Sequence, residues 1–235
     1  MTLLELQGLS RSFGGIIAAD HIDLALEAGE LHCLIGPNGA GKSTVFKLIV
    51  GLIKPQSGRV LLKGRDITRI EPYRRARLGI SMKYQTTRIF ANLTVGQNVT
   101  IAHSREADNG DHLNWALQDL NLTRRWDDPV SMLTYGEQHW LEMCMALGNQ
   151  PSVVLMDEPT AGMTPDETDR TASFLKELNA RGLTIVVIEH DMSFVRDVSR
   201  RVTVLHQGEI FRQGSISEIE SDREVQRIYL GEAPA

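Results

Sequence analysis

A glycine-rich segment near residue 40 carries the residue types needed to bind a polyphosphate. Its nine residues match the pattern G-x-x-x-x-G-K-[ST] and are Gly36, Pro37, Asn38, Gly39, Ala40, Gly41, Lys42, Ser43 and Thr44. The glycines let the backbone turn so that N–H groups point inward, Lys42 would reach the β- and γ-phosphates, and the Ser43 hydroxyl would join a Mg²⁺ shell. A glycine-rich turn with a stray lysine is the alternative, but the strand pattern before the segment and the helical pattern after it favour phosphate binding. The segment therefore predicts a site for a nucleoside triphosphate with Mg²⁺.

Two acidic residues follow an apolar run in the second half of the chain. Residues 153–156 are typical of a central strand, and Asp157 and Glu158 come directly after them. Ligands of open α/β sheets bind at the carboxyl ends of the strands, so both acids are predicted to lie beside the phosphate loop. Asp157 would hold Mg²⁺ through its water shell, and Glu158 would polarise the attacking water. Two surface acids after a strand are an alternative for this segment alone, but the phosphate loop favours hydrolysis.

Alternating strands and helices are predicted to position these groups. Weak apolar alternation in the first ~30 residues, interrupted by Gly14-Gly15 and Gly29, predicts antiparallel strands. Further strands are predicted at residues 31–35, 59–62, 80–84, 153–156, 184–188, 202–205 and 209–213, and helices from Lys42 and at residues 167–180, 193–198 and 223–230. Fully apolar strands that alternate with helices indicate an α/β fold with a mainly parallel sheet covered on both faces.

The middle of the chain has a different character. Residues 86–150 are rich in helix formers and predict a helical subdomain, with a mobile loop at residues 106–111. We expect a single domain over residues 1–235. Its nucleotide-binding core would comprise residues 1–85 and 151–235, with the antiparallel strands as part of it.

Composition and charge argue against several classes of protein. The 235 residues carry a formal net charge of −5, whereas a primary nucleic-acid binder usually has a basic surface. The N-terminus predicts no signal peptide, and no apolar run approaches the ~20 residues of a membrane span. If the protein works at a membrane, other chains would have to bring it there.

We interpret the basic clusters and the two cysteines as structural features rather than as functional sites. The basic clusters comprise Arg74, Arg75, Arg77, Arg124 and Arg125, and they are predicted to be solvated helix faces, with a binding patch as the less favoured alternative. Cys33 lies in an apolar run and Cys144 in a helical pattern, so both are predicted to be buried free thiols rather than a disulfide.

Three further positions extend the two motifs. Gln85 follows the predicted strand 80–84, His190 follows the strand 184–188, and Phe13 lies among the first strands. With the phosphate loop and the two acids, this order resembles the ATP-binding cassette subunits of ABC transporters over nearly the whole chain. The resemblance implies that Gln85 senses Mg²⁺ and the attacking water, that His190 contacts the γ-phosphate, and that Phe13, with Ile16 as a further candidate, stacks on adenine. Taken alone, the histidine would be a surface residue and the phenylalanine a core residue.

A six-residue segment is similar to the family's signature sequence, Leu-Ser-Gly-Gly-Gln. The signature segment of this chain is Leu133, Thr134, Tyr135, Gly136, Glu137 and Gln138. Thr134 replaces Ser and keeps the hydroxyl, Tyr135 replaces the first Gly, and Glu137 replaces Gln. The resemblance implies that this segment, at the start of a helix, contacts the γ-phosphate bound by a second copy.

The resemblance also implies a mechanism and partners. It implies a P-loop NTPase-type fold that hydrolyses ATP with Mg²⁺, held by Ser43, Asp157 and Gln85, in a head-to-tail dimer that sandwiches two ATP molecules. The implied partners are a second ATPase subunit, identical or a sister cassette, transmembrane permease subunits and, indirectly, a solute-binding protein. The protein would be peripheral, on the cytoplasmic face of the inner or plasma membrane, with no nucleic acid expected. Thr164 stands where many family members have Asp, at a position that concerns communication between the two sites.

Several segments resemble the subfamily that serves importers of branched-chain amino acids and urea. They are residues 35–43, 161–164, 189–192 and 229–232. Residues 137–142 and 202–208 favour the urea-type branch, as does the spacing of only 47 residues between Gln85 and Leu133. One alternative is the ATPase of lipopolysaccharide export, which shares some of these segments. The other is a non-transport ABC ATPase acting on nucleic acid or ribosomes, which would usually carry coiled-coil or zinc insertions or a second cassette.

Overall fold

Strands of the chain form two sheets, with helices packed between and around them. The computed structural model describes residues 1–103 and 111–230. The strands are β1 (Thr2–Phe13), β2 (Ile16–Glu27), β3 (Leu31–Ile35), β4 (Ser57–Leu62), β5 (Arg65–Asp66), β6 (Ile80–Lys83), β7 (Val153–Asp157), β8 (Thr184–Ile188), β9 (Arg201–His206) and β10 (Glu209–Ser215). The helices are α1 (Lys42–Val50), α2 (Pro72–Arg77), α3 (Val95–Ala102), α4 (Asp111–Asp119), α5 (Tyr135–Ala146), α6 (Pro165–Ala180), α7 (Met192–Val198), α8 (Ile216–Ser221) and α9 (Arg223–Leu230), with short 3₁₀ turns at Leu122–Arg125 and Val130–Met132.

The larger sheet is mainly parallel and has the strand order β10-β9-β3-β8-β7-β6. All neighbours are parallel except β9 and β10, which form an antiparallel hairpin. Every residue of β3, β7 and β8 is buried, as expected for apolar strands covered on both faces. The predicted α/β fold is confirmed, and the carboxyl ends of these three strands meet at one edge of the sheet.

The smaller sheet is antiparallel and has the order β2-β1-β4-β5. Its β1–β2 pair confirms the antiparallel strands predicted for the start of the chain. Helix α1 joins the two sheets, because Phe46 and Leu48 are fully buried in the same core as Leu6 of β1 and Ile188 of β8. The helix that follows the phosphate loop is thereby fixed on two sides.

Helices α3, α4 and α5 occupy the middle of the chain, as predicted. Leu141 and Cys144 of α5 share a core with Met156 of β7 and Phe174 of α6, so this part packs directly on the sheet. The predicted mobile loop at residues 106–111 lies outside the described residues, except that Asp111 begins α4. Residues 231 and 232, which belong to the segment 229–232 that resembles the importer subfamily, also lie outside the described residues. The division into core and helical subdomain stays a prediction.

The prediction of a solvated helix face is wrong for Arg75. This side chain is 2% exposed and donates to the carbonyl oxygens of Leu48 (2.8 Å), Ile49 (2.6 Å), Ile70 (2.8 Å) and Thr68 (2.7 Å). A cation at the carboxyl end of α1 satisfies carbonyl groups that have no partner within the helix. Charge alone did not reveal this role, because the burial arises from the packing of α2 against the end of α1.

Other predictions about single residues agree with the structure. Arg74, Arg77 and Arg124 are exposed. Cys33 and Cys144 are buried free thiols, and their burial raises the pKa of both. Across residues 1–103 and 111–230, no helix combines the length and the apolar character needed to span a membrane.

Candidate functional site

The phosphate loop connects the end of β3 to the start of α1. Gly36 and Gly41 have φ values of 147° and 105°, in a region that only glycine adopts without strain. A Cβ at Gly36 would lie 2.1 Å from the carbonyl oxygen of Leu205, and one at Gly41 would lie 2.1 Å from that of Ala18. Both glycines are therefore required by the conformation of the loop and by its close approach to β9 and β2.

Lys42 lies on the inner side of this loop. Its Nζ donates to the carbonyl oxygens of Gly36 at 2.7 Å and Pro37 at 2.9 Å, and the residue is only 8% exposed. Burial lowers the pKa of this lysine, while the charges of Glu158 and Asp157 act in the opposite direction. The cation therefore lies where phosphate oxygens cradled by the loop would be additional acceptors.

Asp157 at the end of β7 lies beside Ser43 at the start of α1. The Ser43 hydroxyl donates to Asp157 Oδ1 at 3.4 Å, and burial raises the pKa of this carboxyl, which is 4% exposed. In the described parts of the chain, no three His, Cys, Asp or Glu side chains form a metal-binding group. A hydroxyl and a single carboxylate fit Mg²⁺, which keeps several waters and shares its shell with substrate phosphates.

Glu158 and Gln85 come together although they are distant in sequence. Gln85 Nε2 donates to Glu158 Oε2 at 2.9 Å, and the Glu158 backbone N–H donates to the carbonyl oxygen of Ile188 at 3.0 Å. Glu158 has a φ of 46°, a left-handed conformation that is unfavourable for a residue with a Cβ. The neighbouring strand end therefore fixes this carboxylate next to the segment that follows β6.

His190 follows β8 at the same edge but lies at its periphery. Its side chain is 64% exposed, and its Nδ1 lies 3.8 Å from Oε2 of Glu189. Glu189 itself is 1% exposed and accepts from the Thr160 hydroxyl at 2.6 Å and from the His190 N–H at 3.2 Å. This buried carboxylate, which the sequence did not single out, joins the end of β8 to the loop after Glu158.

Phe13 lies at the tip of the β1–β2 hairpin, paired with Ile16. The two side chains are 43% and 74% exposed, and the Arg11 guanidinium lies 4.8 Å from the centroid of the Phe13 ring. An exposed aromatic face of this kind can stack on a planar base. The same hairpin approaches the phosphate loop through β2, because the carbonyl oxygen of Ala18 lies close to Gly41.

The signature segment forms the amino end of α5, and Glu137 has a clear structural role there. Thr134 caps the helix by accepting from the Glu137 N–H at 3.2 Å, and Glu137 Oε2 accepts from the Thr134 N–H at 2.8 Å. This reciprocal pair is a capping box, in which Glu and Gln are equally suitable. Arg125 donates to Glu137 Oε1 at 3.0 Å and partly neutralises the added charge. The departure at Glu137 therefore preserves the helix start.

Tyr135 and Gly136 contact the loop that follows β7 and the first turn of α6, respectively. The Tyr135 ring is 53% exposed and leaves room only for glycine at position 162, where a Cβ would lie 2.9 Å from the ring. A Cβ on Gly136 would lie 2.2 Å from a carboxylate oxygen of Glu167. Leu133 is buried, at 6% exposure. The signature segment is thus packed against the loop between β7 and α6 and against the start of α6. Thr164 caps α6 through a second capping box.

Three buried polar residues near Glu158 were not predicted. They are Lys83 at the end of β6, and His139 and Glu142 on α5. The available signal was a lysine at the end of the short strand Ile80–Lys83, together with a histidine and a glutamate three residues apart on a helix. It was not specific, because the sequence does not show that the strand and the helix meet.

Comparison with known proteins gives a consistent result. The family model described as ABC transporter matches residues 19–161. The high-affinity branched-chain amino acid transport ATP-binding protein LivG of Salmonella typhimurium is 34% identical over an alignment of 251 residues, which covers 98% of both chains. A nucleotide-free ATP-binding cassette from an ABC transporter superimposes with a TM-score of 0.90 at 28% identity, over 99% of this chain and 100% of that one. The dimeric, post-hydrolysis cassette MJ0796 bound to ADP and Pi has a TM-score of 0.79 at 26% identity, over 91% and 99%.

Proposed function

The chain belongs to the ABC transporter family, and from this premise we propose that it is the ATP-hydrolysing subunit of an importer for a small polar or amino-acid-like solute. The observation that carries the proposal is the arrangement at one sheet edge. The phosphate loop, Asp157 and the Glu158–Gln85 pair all lie at the carboxyl ends of β3, β7 and β6. Such an edge binds nucleotides in open α/β sheets.

Each residue of this edge has a defined task in the proposed reaction. The phosphate loop and Lys42 bind the triphosphate of ATP, while Ser43 and Asp157, with Gln85, would hold Mg²⁺, which adds positive charge next to the phosphates. Glu158 accepts a proton from the attacking water, and Gln85 orients that carboxylate through their 2.9 Å hydrogen bond. His190, exposed at the periphery, contacts the γ-phosphate once ATP is bound.

A second copy or a sister cassette completes each site in this proposal. The amino end of α5 carries free N–H groups and the Thr134 hydroxyl, whose proton remains available because its oxygen acts as acceptor in the capping box. These groups would bind the γ-phosphate held by the partner's phosphate loop. Closure on ATP and opening after hydrolysis then follow from contacts that exist in the closed state alone. The dimeric relative with ADP and Pi supports this arrangement.

Permease subunits are the proposed membrane partners, which places the protein peripherally on the cytoplasmic face. An exposed apolar surface on and beside α3 is our candidate for their docking. Ile101 and Trp126 are 56% and 38% exposed, and the Trp126 ring packs against Gly96 of α3. Exposed large apolar side chains are typical of protein interfaces.

The solute class rests on the relatives and on two segments of this chain. LivG is described as serving branched-chain amino acid transport, and its similarity extends over 98% of this chain. Residues 137–142 and 202–208 favour urea as the alternative solute of the same subfamily. Because the solute would be recognised by the receptor and the permease, the choice between the two is not encoded in the site described above.

Reconstitution with its membrane partners tests the proposal. The chain is expressed together with candidate permease subunits and a solute receptor, and the purified complex is placed in liposomes with ATP inside or outside. We expect ATP-dependent uptake of leucine or urea that is abolished by Lys42→Ala. ATP hydrolysis without solute movement, together with copurification of ribosomes or DNA, would contradict the importer. ATP-dependent release of lipopolysaccharide would favour export.

A further inference from the structure

A lysine is buried between the catalytic edge and the helix of the signature segment. Lys83 is 2% exposed, and its Nζ lies 3.2 Å from His139 Nδ1 and 3.5 Å from the carbonyl oxygen of Glu158. A buried ammonium is costly unless it has acceptors and opposite charge around it. Here one acceptor comes from α5 and the other from the residue that follows β7, so Lys83 connects the two elements.

The protonation state and the tautomer of His139 follow from its contact with Lys83. An ammonium can only donate, so Nδ1 must accept, and the ring proton must be on Nε2, which lies 3.4 Å from the Thr87 hydroxyl. Burial, and then the charge of Lys83, lower the pKa of His139 to about 4. The imidazole is therefore a neutral acceptor at physiological pH.

Charge also holds Lys83 in place. Burial lowers the pKa of this lysine, and among the four carboxylates that oppose this effect the strongest is Glu142, which lies on α5 three residues after His139. Glu142 is 6% exposed and accepts a hydrogen bond from the backbone N–H of Arg88. Helix α5 thus provides both an acceptor and a countercharge for Lys83. Glu142 also ties α5 to the segment that follows Gln85.

The same helix extends this connection to the surface. His139 lies one turn after Tyr135, and their ring centroids are 4.5 Å apart. Tyr135 is half exposed and directly follows Thr134 in the chain. A continuous set of contacts therefore runs from the signature segment through Tyr135, His139 and Lys83 to the backbone of Glu158.

We propose that Lys83 is a positioning residue for ATP hydrolysis, which couples the signature segment to Glu158 within one chain and thereby links the two ATP sites of the dimer. The proposal rests on the proposed function, because the signature segment serves one ATP and Glu158 serves the other. Binding of the partner's γ-phosphate at α5 moves or fixes Tyr135 and His139. Lys83 transmits this state to the carbonyl of Glu158. The left-handed backbone of Glu158 depends on the contacts that hold it, so a shift of Lys83 changes the direction of the Glu158 carboxylate.

Steady-state ATP hydrolysis by the purified chain, measured across ATP concentration, tests this role. The variants are Lys83→Met, His139→Leu, the double variant and Lys83→Arg, which keeps a cationic donor. His32→Leu is the matched control, because His32 is also fully buried and hydrogen-bonded, to Glu30 and Thr203 near the opposite edge of the sheet. Thermal unfolding of each variant is recorded in parallel.

We expect Lys83→Met and His139→Leu each to reduce kcat about tenfold and to lower the Hill coefficient for ATP towards 1. Their KM values should stay within about threefold, since neither residue contacts the phosphate loop. The double variant should lose no more than the stronger single one, and Lys83→Arg should keep at least about half of kcat. If Lys83→Met does not fold, His139→Leu and Lys83→Arg carry the test.

Two results overturn the proposal. One is a kcat for Lys83→Met or His139→Leu within about twofold of the parent; the other is an equal loss of kcat in His32→Leu, which would indicate general destabilisation. Either result leaves the proposed function intact, provided that the parent hydrolyses ATP. A parent without Mg²⁺-dependent ATP hydrolysis, alone and with its permeases, refutes the proposed function itself.

Discussion

Replacement of Glu158 by glutamine converts a charged carboxylate into a neutral amide of nearly the same size and shape. The amide oxygen of the new side chain can still accept from Gln85 Nε2, at the position where Glu158 Oε2 accepts at 2.9 Å. The backbone bond from the Glu158 N–H to Ile188 is unaffected by the side chain. Folding stability should therefore change by no more than about 0.5 kcal/mol. What the variant loses is the group that takes a proton from the attacking water.

The size of the kinetic effect follows from that loss. Removal of a positioned general base usually costs about 10²- to 10⁴-fold in rate, or about 3 to 5 kcal/mol in the activation free energy. Binding of ATP should be retained, because Lys42 and the phosphate loop do not contact this side chain through a hydrogen bond. The variant should therefore accumulate in the ATP-bound dimer, which cannot proceed to hydrolysis.

Three measurements on one preparation examine this reasoning. Phosphate release gives kcat, a fluorescent ATP analogue gives the affinity, and light scattering after size exclusion gives the oligomeric state with and without ATP. Glu177→Gln, on the exposed side of α6, is the matched control and should behave as the parent. Hydrolysis at the parental rate by Glu158→Gln would refute the assignment of Glu158. A loss of rate that came with loss of ATP binding would point to a structural role instead.

The remaining predictions concern single elements of the fold. Glu137→Ala should lower the free energy of unfolding, measured with urea as denaturant, by about 1 kcal/mol because it removes the α5 capping box. Glu137→Gln should change this free energy by no more than about 0.3 kcal/mol, and equal losses in the two variants would contradict the capping role. Arg75→Met should cost about 3 kcal/mol or more, since several backbone carbonyls lose a buried donor, and Arg74→Met, at an exposed site, should cost less than about 0.5 kcal/mol. The pKa of His139 is lowered to about 4 from 6.5, so the unfolded state binds the extra proton first as the pH falls. The parent should therefore lose about 3 kcal/mol of stability relative to His139→Leu between pH 6.5 and 4, and parallel curves would exclude a buried neutral imidazole.

Much of the fold was predictable because its strongest signals are local. Apolar runs such as Leu31–Ile35 and Thr184–Ile188 admit few interpretations other than buried strands, and each is followed by a residue of the site. The order of strands in the sheet was not predictable, because pairing of β3 with both β8 and β9 depends on contacts across about 150 residues. The phosphate loop could be predicted since its glycines and its lysine are adjacent in sequence.

Residues whose role depends on a distant partner could not be found in this way. Arg75 has the composition of a surface residue, and its burial depends on carbonyl groups at the end of α1, which no side-chain pattern reports. Lys83 is recognisable only when β6, α5 and the end of β7 are assembled around it. Short basic or polar patterns carry no information about which carbonyl or carboxylate they will meet, so sequence reasoning defaults to solvent exposure.

The signature segment departs from the family pattern and still keeps the groups that bind an anion at the start of a helix. An N-terminal helix site for an anion needs free N–H groups, a hydroxyl that can donate, and no uncompensated negative charge. Glu137 would violate the last condition if its carboxylate were free, but it accepts from the Thr134 N–H and from Arg125. The carboxylate is thereby directed towards the helix start and its cation, and the Thr134 proton remains free to donate. It follows that Arg125 contributes more to phosphate binding at this helix start than it would in a chain with glutamine at position 137. A substitution of Glu137 should therefore be accompanied by a substitution of Arg125.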